Sequence, residues 1–246
     1  MTSRRKDPAQ HNRRLFLQAG AVLIGSLPFA AFSQGTSPKL KIGTIGSGRV
    51  GSALGGAWIR AGHEVMFSSL DLEADKKLAA SLGPNARAGT TREAVTFGSV
   101  LLVSVPYTAL PAIGKELGDL LKGKIVIDTS NPIVARDGDM AVAAREKGAG
   151  IASQEFLPGT RIVRAFNAIG AARMGTASSN AERIGMPIAG DDADAIRIVS
   201  TLVREVGYEP VLVGTLAAMG KYLVPGTPLG GERSPDEVRK VAAALK

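Results

Sequence analysis

The sequence predicts an α/β fold with a doubly wound, mostly parallel sheet and a small C-terminal extension. Two observations favour this fold class. Apolar segments of strand length alternate with helical segments along residues 39–214, which is the pattern of βα units. Two of the segments, SVLLVSV at residues 99–105 and KIVID at residues 124–128, are almost wholly apolar, as expected of strands buried on both faces.

The elements follow in chain order. Residues 39–69 are predicted to form a strand, a glycine turn, a helix and a second strand. Further strands are predicted at residues 86–89, 99–105, 124–128, 161–166, 186–189 and 210–213, and helices at residues 71–82, 91–96, 107–121 and 192–206. Ser234 followed by Pro235 predicts the capped start of a terminal helix, with serine at the N-cap and proline at the first position.

The turn after the first strand carries the most specific motif of the chain. Its sequence is Gly46-Ser47-Gly48-Arg49-Val50-Gly51, which matches G-x-G-x-x-G between a strand and a helix. In such a turn Gly46 allows the tight bend, Gly48 lets a pyrophosphate approach the backbone, and Gly51 lets the helix pack closely. The N-terminus of the helix presents N–H groups and a positive dipole to the phosphates. The motif predicts a Rossmann-type NAD(P) site.

The N-terminal segment is predicted to be an export signal. Its basic part contains Arg13 and Arg14 in NRRLFLQ, and a mildly apolar stretch with small residues follows. This pattern resembles a twin-arginine signal peptide at residues 1–34, with Asn12 and Gln18 as departures. We expect export to the periplasm or the extracellular space, with no stable membrane span once the leader is cleaved. A membrane anchor is the alternative.

The domain organisation follows from this leader. Residues 39–214 are predicted to form the NAD(P)-binding oxidoreductase domain, and residues 215–246 a C-terminal tail and helix. The tail is rich in glycine and proline between residues 222 and 233. It suggests a homodimer contact or a cover over its own chain.

Charge and cysteine content exclude several functions. The net charge is +8, but residues 1–33 hold five basic residues and one acidic residue, which is half of the excess. The remaining chain has no basic runs interleaved with aromatic residues, so no nucleic-acid partner is expected. The chain has no cysteine, which excludes disulfides, thiolate metal sites and cysteine catalysis. No metal site is predicted.

The end of the second strand bears on the choice between NAD and NADP. An acidic residue there favours NAD, whereas a cationic residue accommodates the 2′-phosphate of NADP. The hydroxyls of Ser68 and Ser69 are predicted to donate to such a phosphate, and Lys76 or Lys77 is within reach of it along the next helix. Asp71 is predicted to cap that helix instead. The pattern favours NADP and leaves NAD open.

Three other strand ends are predicted to line the rest of the site, because ligands of open α/β sheets bind beyond the carboxyl ends of the strands. These ends are Ser104-Val105-Pro106, Ser130-Asn131-Pro132 and Ala165-Phe166-Asn167. Small, polar and rigid residues at successive strand ends favour a surface on which a planar ring can bind. The chain's histidines are His11 in the leader and His63 before the second strand. Neither histidine lies in the predicted cleft, so an acid or base of this type is not expected there. Hydride transfer between two stacked rings is compatible with this, since it needs no proton relay.

Several motifs together resemble the NADP-dependent coenzyme F-420 (deazaflavin) oxidoreductase family. They are IGSGRVG, GHEV, IVIDTSNP, RIVRAFNAIGA and MPIAGDDADAIRIVSTLVREVGYEPVLVG, in family-like order from Lys41 to Gly214. The chain also resembles the reductase domain of six-transmembrane ferric reductases. The resemblance implies NADP as cofactor and a deazaflavin or flavin as co-substrate, with the chain's partner a small-molecule redox acceptor.

The resemblance also implies roles for residues. It places the pyrophosphate at residues 46–50, the 2′-phosphate at Ser69, and the nicotinamide ribose beside Ser104, Val105 and Pro106. Asn131, Pro132 and residues 165–167 are implied to lie near the nicotinamide. Two departures stand out. The family commonly has arginine where this chain has Leu70, and lysine where it has Ala74.

Other functions stay open at this point. A reductase of imines or hydroxy acids usually needs a large helical domain, and only 79 residues follow Asn167. A dinucleotide-binding module without turnover is compatible with the same fold. So is a reductase subunit that needs a separate acceptor partner.

Overall fold

The computed structural model describes residues 38–174 and 183–245. Their centre is a sheet of eight strands: β1 Lys41–Ile45, β2 Glu64–Phe67, β3 Ala86–Ala88, β4 Val100–Val103, β5 Ile125–Asp128, β6 Arg161–Arg164, β7 Gly185–Gly190 and β8 Glu209–Gly214. The spatial order is β3-β2-β1-β4-β5-β6-β7-β8. The first six strands thus have the doubly wound order in which the chain reverses direction between β1 and β4.

Every neighbouring pair of strands is parallel except β6 and β7, which are antiparallel. The carboxyl ends of β1 to β6 therefore share one edge of the sheet. The carboxyl ends of β7 and β8 lie at the opposite edge. The predicted fold class, a mostly parallel and doubly wound sheet, is confirmed.

Nine α-helices join or flank these strands in the described residues: α1 Arg49–Arg60, α2 Leu72–Leu82, α3 Thr91–Phe97, α4 Leu110–Leu121, α5 Val134–Lys147, α6 Ala149–Phe156, α7 Ala193–Glu205, α8 Leu216–Met219 and α9 Pro235–Ala244. Short 3₁₀ turns lie at Tyr107–Ala109, Ala171–Arg173 and Gly220–Tyr222. Helix α5 bends sharply at Gly138, whose φ is 58°.

Two apolar clusters cover the two faces of the sheet. The larger one joins β1 and β2 to α1 and α7 and contains Trp58, the largest fully buried side chain. The other joins β4 and β5 to α4 and α6 around Tyr107 and Leu110. A smaller cluster forms where α9 packs on β7 and β8. Burial of both faces explains why the strands at residues 99–105 and 124–128 read as continuous apolar runs.

The predicted strands all occur, with ends that coincide or differ by up to two residues. Two predicted caps are confirmed as well: the Asp71 carboxylate accepts from the Ala74 N–H at 2.9 Å, and Ser234 forms a capping box with Glu237. Helices α5 and α6 were not predicted. Their sequences contain Gly138 and the pair Gly148 and Gly150, which interrupt helical periodicity.

The predicted export signal at residues 1–34 lies outside the described residues, so it stays a prediction. The boundary predicted at residue 214 also stays a prediction. Within residues 38–174 and 183–245, no helix combines the length and the apolar character that crossing a membrane requires.

Candidate dinucleotide site

The glycine turn has the backbone that its sequence predicts. Gly46 has a φ of 97°, and a Cβ placed on it would lie 2.2 Å from the carbonyl oxygen of Ser104. A Cβ on Gly51 would lie 2.0 Å from the carbonyl oxygen of Gly46. Both positions therefore exclude any side chain. A Cβ on Gly48 would meet nothing within 4 Å, so this glycine faces an open cradle.

The first turn of α1 completes the cradle. The Ser52 N–H donates to the Gly48 carbonyl at 2.9 Å as the first bond of the helix, which leaves the N–H groups of residues 49–51 without intrahelical acceptors. Gly48 provides no capping side chain, and the first turn contains no acidic residue. Arg49 is exposed and Val50 is half-buried against the core. Free N–H groups, a helix dipole and a cation all favour an anion here.

The end of β2 lies against the glycine turn, because the Gly46 N–H donates to the Ser68 carbonyl at 2.9 Å. Ser68 itself is fully buried, and its hydroxyl donates to the Thr44 carbonyl at 2.5 Å. Ser69 is half-buried, and its hydroxyl donates to the Asp75 carboxylate at 2.8 Å. Their predicted roles at a 2′-phosphate remain predictions, but both hydroxyl protons already have protein acceptors.

Asp75 is a residue that sequence reasoning missed. It lies on α2, is 1% exposed, and also accepts a short hydrogen bond from the hydroxyl of Ser47 in the glycine turn. The only sequence signal was an acidic residue seven positions after Ser68, later than the usual acidic residue at a strand end. Leu70, where the resembling family has arginine, is fully exposed.

The end of β4 lies beside the glycine turn. The Ser104 N–H donates to the Ile45 carbonyl at 2.8 Å, which ties the two strand ends together. Ser104 and Val105 are half-buried, and Pro106 is exposed at the start of the 3₁₀ turn. Residues 104–106 therefore line the same edge as the cradle, where the ribose of a dinucleotide is implied to lie.

The ends of β5 and β6 are joined by a buried ion pair. The Arg164 guanidinium donates to the Asp128 carboxylate at 2.5 Å, and both side chains are 0% exposed. Asp128 also accepts from the Ser130 N–H at 2.8 Å, and Arg164 reaches the Leu223 carbonyl at 3.0 Å. A buried pair of charges needs such additional bonds to offset its desolvation. No pattern in the sequence indicates that these two residues meet.

Three guanidinium groups hold the loop between β5 and α5, which comprises residues 129–133. Each donates to one carbonyl of this loop: Arg164 to Ser130 at 3.1 Å, Arg136 to Asn131 at 2.9 Å and Arg145 to Pro132 at 2.8 Å. Asp137 anchors the loop from the other side by accepting from the Ile133 N–H at 2.9 Å. The hydrogen bond from Arg136 holds the pKa of Asp137 below its ordinary value. The loop is thus fixed by side chains rather than by a backbone ladder.

The predicted residues at β5 and β6 meet in this structure. The Asn131 amide donates to the Asn167 carbonyl at 3.1 Å, while Pro132 and Ala165 are buried beside them. Phe166, between Ala165 and Asn167, has a φ of 65°. This conformation is strained for a residue other than glycine, and residues that adopt it cluster at functional sites.

Three buried polar atoms at this end have no hydrogen-bond partner in the described part of the chain. Among the described residues, Ser130 Oγ and Asn167 Oδ1 are buried without a hydrogen bond, as is Arg164 Nε. Buried polar atoms without partners are uncommon and call for an explanation such as a ligand. A ligand carboxamide has both functions that two of these atoms need, because its N–H group can donate to Asn167 Oδ1 and its oxygen can accept from the Ser130 hydroxyl. This end of the site therefore fits a polar, planar group.

Two buried titratable residues, His63 and Tyr107, form hydrogen bonds within the protein. His63 is buried before β2, at the edge opposite the cradle, where its Nδ1 accepts from the Leu40 N–H at 3.0 Å and its Nε2 lies 2.7 Å from Glu205. The hydroxyl of Tyr107 donates to the Ala149 carbonyl at 2.9 Å. Burial raises the pKa of Tyr107 to about 12, so this hydroxyl stays protonated and structural near neutral pH.

The cradle, the strand ends and the unpartnered polar atoms form one continuous edge, which defines a Rossmann-type dinucleotide-binding protein. The comparisons with known proteins find similarity to NADP-dependent oxidoreductases. Residues 41–132 match the family described as NADP oxidoreductase, coenzyme F420-dependent. The family resemblance and the enzyme class predicted from the sequence are thereby confirmed.

Individual relatives agree with this assignment. The chain is 29% identical over 180 residues to the F420-dependent NADP reductase of Methanothermobacter marburgensis, covering 68% of this chain and 80% of that protein. It is 30% identical over 182 residues to metalloreductase STEAP3 of Rattus norvegicus, covering 72% of this chain. The match spans only 34% of that metalloreductase.

A solved structure supports the fold over a longer stretch. A hypothetical protein from Sinorhizobium meliloti superposes with a TM-score of 0.69 and 26% sequence identity, covering 81% of this chain and 97% of the other. The similarity thus extends beyond the glycine turn and its first helices to most of the described residues.

Proposed function

We propose that this protein transfers hydride between NADPH and a deazaflavin or flavin-like acceptor. The observation that carries the proposal is the continuous edge from the open cradle at Gly48 to the unpartnered polar atoms of Ser130 and Asn167. One end of this edge suits a pyrophosphate and the other a planar ring with polar substituents. The names of the relatives agree with a coenzyme F420 acceptor.

The residues of the chain would act by binding and orientation. The N–H groups of residues 49–51 would hold the pyrophosphate, and Ser104, Val105 and Pro106 would lie along the ribose. A bound nicotinamide supplies the hydride, and the acceptor ring must stack on it at ~3–3.5 Å. The loop of residues 129–133 would set the plane of that stack, because three guanidinium groups fix its carbonyls.

The placement of His63 and Tyr107 is compatible with this chemistry. His63 lies at the opposite edge of the sheet, and the hydroxyl of Tyr107 is committed to the Ala149 carbonyl. Hydride transfer between two rings needs orientation and exclusion of water more than an acid or a base. A reduction of an imine or a ketone would instead need a proton donor at the reacting atom.

The test is anaerobic oxidation of NADPH by the purified full chain, with coenzyme F420 and FMN offered in separate reactions. Rapid turnover with one acceptor would establish the reductase and identify its ring class. Gly48→Val is the matched control, since its side chain would fill the cradle and stop turnover. Tight NADPH binding without turnover with either acceptor would favour the second candidate, a binding module or a reductase subunit that needs a separate acceptor partner.

We also propose export by a twin-arginine route, on the sequence NRRLFLQ. Replacing Arg13 and Arg14 together by lysine is expected to retain the protein in the cytoplasm, because twin-arginine signals require the guanidinium pair. Cell fractionation with an epitope-tagged chain measures this. Export that is unaffected by the double substitution would exclude this route.

A further inference from the structure

The adenosine end of the site contains a buried carboxylate that the functional assignment does not use. Asp75 projects from the first turns of α2 and is 1% exposed. One carboxylate oxygen accepts from the Ser47 hydroxyl in the glycine turn, and the other accepts from the Ser69 hydroxyl at 2.8 Å. The carboxylate thus bridges the pyrophosphate turn and the end of β2, the position that decides between NAD and NADP in this fold.

The hydrogen bonds of Ser69 leave it no proton for a ligand. Its oxygen accepts from the Asp71 N–H at 3.1 Å, and its hydroxyl donates to Asp75. A serine hydroxyl has a single proton. Ser69 therefore cannot donate to a 2′-phosphate while its hydroxyl is bonded to Asp75.

The charges around this position also oppose a phosphate. Within the described residues, both hydrogen bonds to the Asp75 carboxylate come from neutral hydroxyls rather than from a cation. Leu70 replaces the arginine common in the resembling family, and Lys76 is paired with Glu73 at 2.8 Å. A carboxylate near a phosphate weakens binding of the phosphate by charge repulsion, whereas a neutral ribose hydroxyl is not repelled.

We propose that Asp75 determines cofactor specificity by favouring the 2′-hydroxyl of NADH over the 2′-phosphate of NADPH, so that the site accepts both cofactors. The inference rests on the proposed dinucleotide site, but not on the identity of the acceptor. The carboxylate lowers NADPH affinity by its charge and by holding the proton of Ser69. The half-buried Ser69 oxygen, whose proton is directed to Asp75, keeps a lone pair that accepts from the ribose hydroxyl of NADH.

The test is a fluorescence titration of NADPH and NADH with the full chain and with Asp75→Asn, giving the ratio of the two dissociation constants. The wild-type constants are expected to agree within about tenfold. In Asp75→Asn the amide donates to a serine and releases its proton, and one negative charge is lost. The ratio should then shift toward NADPH by about tenfold, which is the effect of one close charge.

Asp119→Asn is the matched control, because it removes one negative charge from an exposed position of α4 without touching either serine or Lys76. It should leave the ratio unchanged. An equal shift in Asp119→Asn and Asp75→Asn, or none in Asp75→Asn, would overturn the proposal. Failure of the wild type to bind either dinucleotide would overturn the site itself and the proposed function with it.

Ser69→Ala provides a second test that does not depend on the folding of Asp75→Asn. If Asp75 holds the Ser69 proton, removing the hydroxyl leaves NADPH affinity within about twofold of wild type. A selective loss of NADPH affinity of about tenfold would mean that Ser69 binds the 2′-phosphate directly, and the proposal would be wrong.

Discussion

The two ends of the dinucleotide site are built by different means. At the adenosine end, glycine backbone and helix geometry form the cradle, and a Cβ at Gly48 would meet nothing within 4 Å. At the acceptor end, a fully buried ion pair between Arg164 and Asp128 connects strand ends that are 36 residues apart in sequence. The comparison teaches that the first end can be altered without unfolding the protein. The second end is part of the folded core.

The sharpest test of this contrast is Arg164→Leu, which leaves the Asp128 carboxylate buried and unpaired. We expect a loss of about 3–5 kcal/mol in the free energy of unfolding, measured by urea denaturation. Arg161→Leu on the same strand is the control, because its pair with Asp192 is partly exposed and should contribute far less to stability than the buried pair. Equal losses in the two variants would contradict a core role for the acceptor end.

The next effect concerns binding rather than stability. Gly48→Val should abolish dinucleotide binding while changing the free energy of unfolding by no more than about 1 kcal/mol. The valine side chain enters the space that the pyrophosphate needs, and it touches no protein atom at its Cβ.

Gly46→Ala is the companion variant at the same turn. Gly46 has a φ of 97°, and the Cβ of an alanine there would lie 2.2 Å from the Ser104 carbonyl oxygen. Gly46→Ala should therefore be less stable than Gly48→Val. If Gly48→Val binds NADPH as the wild type does, when both are titrated under the same conditions, the cradle is not the pyrophosphate site.

A smaller effect is expected at the rim of the adenosine end. Leu70→Arg restores the cation common in the resembling family and should raise the preference for NADPH over NADH by about tenfold. Stability should not change, because Leu70 is fully exposed. Leu212→Arg on β8, where the leucine is 53% exposed, adds the same charge far from the site. The same shift in both variants would point to net charge rather than to a local contact.

The smallest effect is a pH dependence outside the site. The hydrogen bond from Arg161 lowers the pKa of Asp192 to about 2, below the value of about 3.9 expected in the unfolded chain. A lowered pKa stabilises the fold above the unfolded value, and this contribution is lost as the pH falls toward about 2. Asp192→Asn should therefore be less stable than wild type at pH 7 and equally stable near pH 2. A stability difference that is constant with pH would exclude this linkage.

The same contrast explains what the sequence could predict. The cradle depends on a motif of six consecutive residues and on strand periodicity, both of which are local, so Gly46 to Gly51 and the eight strands were predictable. The bridge from Ser47 to Asp75 spans 28 residues, and the contact from Arg164 to Leu223 spans 59. No local pattern encodes such pairs. In the sequence, Arg164 is an ordinary residue of a predicted strand, and only the tertiary fold brings it beside Asp128.

Trp58 links the helix that begins at the cradle to the end of β6, and its fluorescence can be used to measure binding. It is the only tryptophan of the chain, lies on the helix that follows the glycine turn, and donates from its indole N–H to the Leu202 carbonyl at 3.0 Å. Its ring meets that of Phe166 edge to face, with centroids 6.4 Å apart, next to Asn167. The protein therefore carries a single tryptophan, on the helix that begins at the cradle and in contact with the end of β6. Energy transfer from Trp58 to a reduced nicotinamide would report binding without any attached dye.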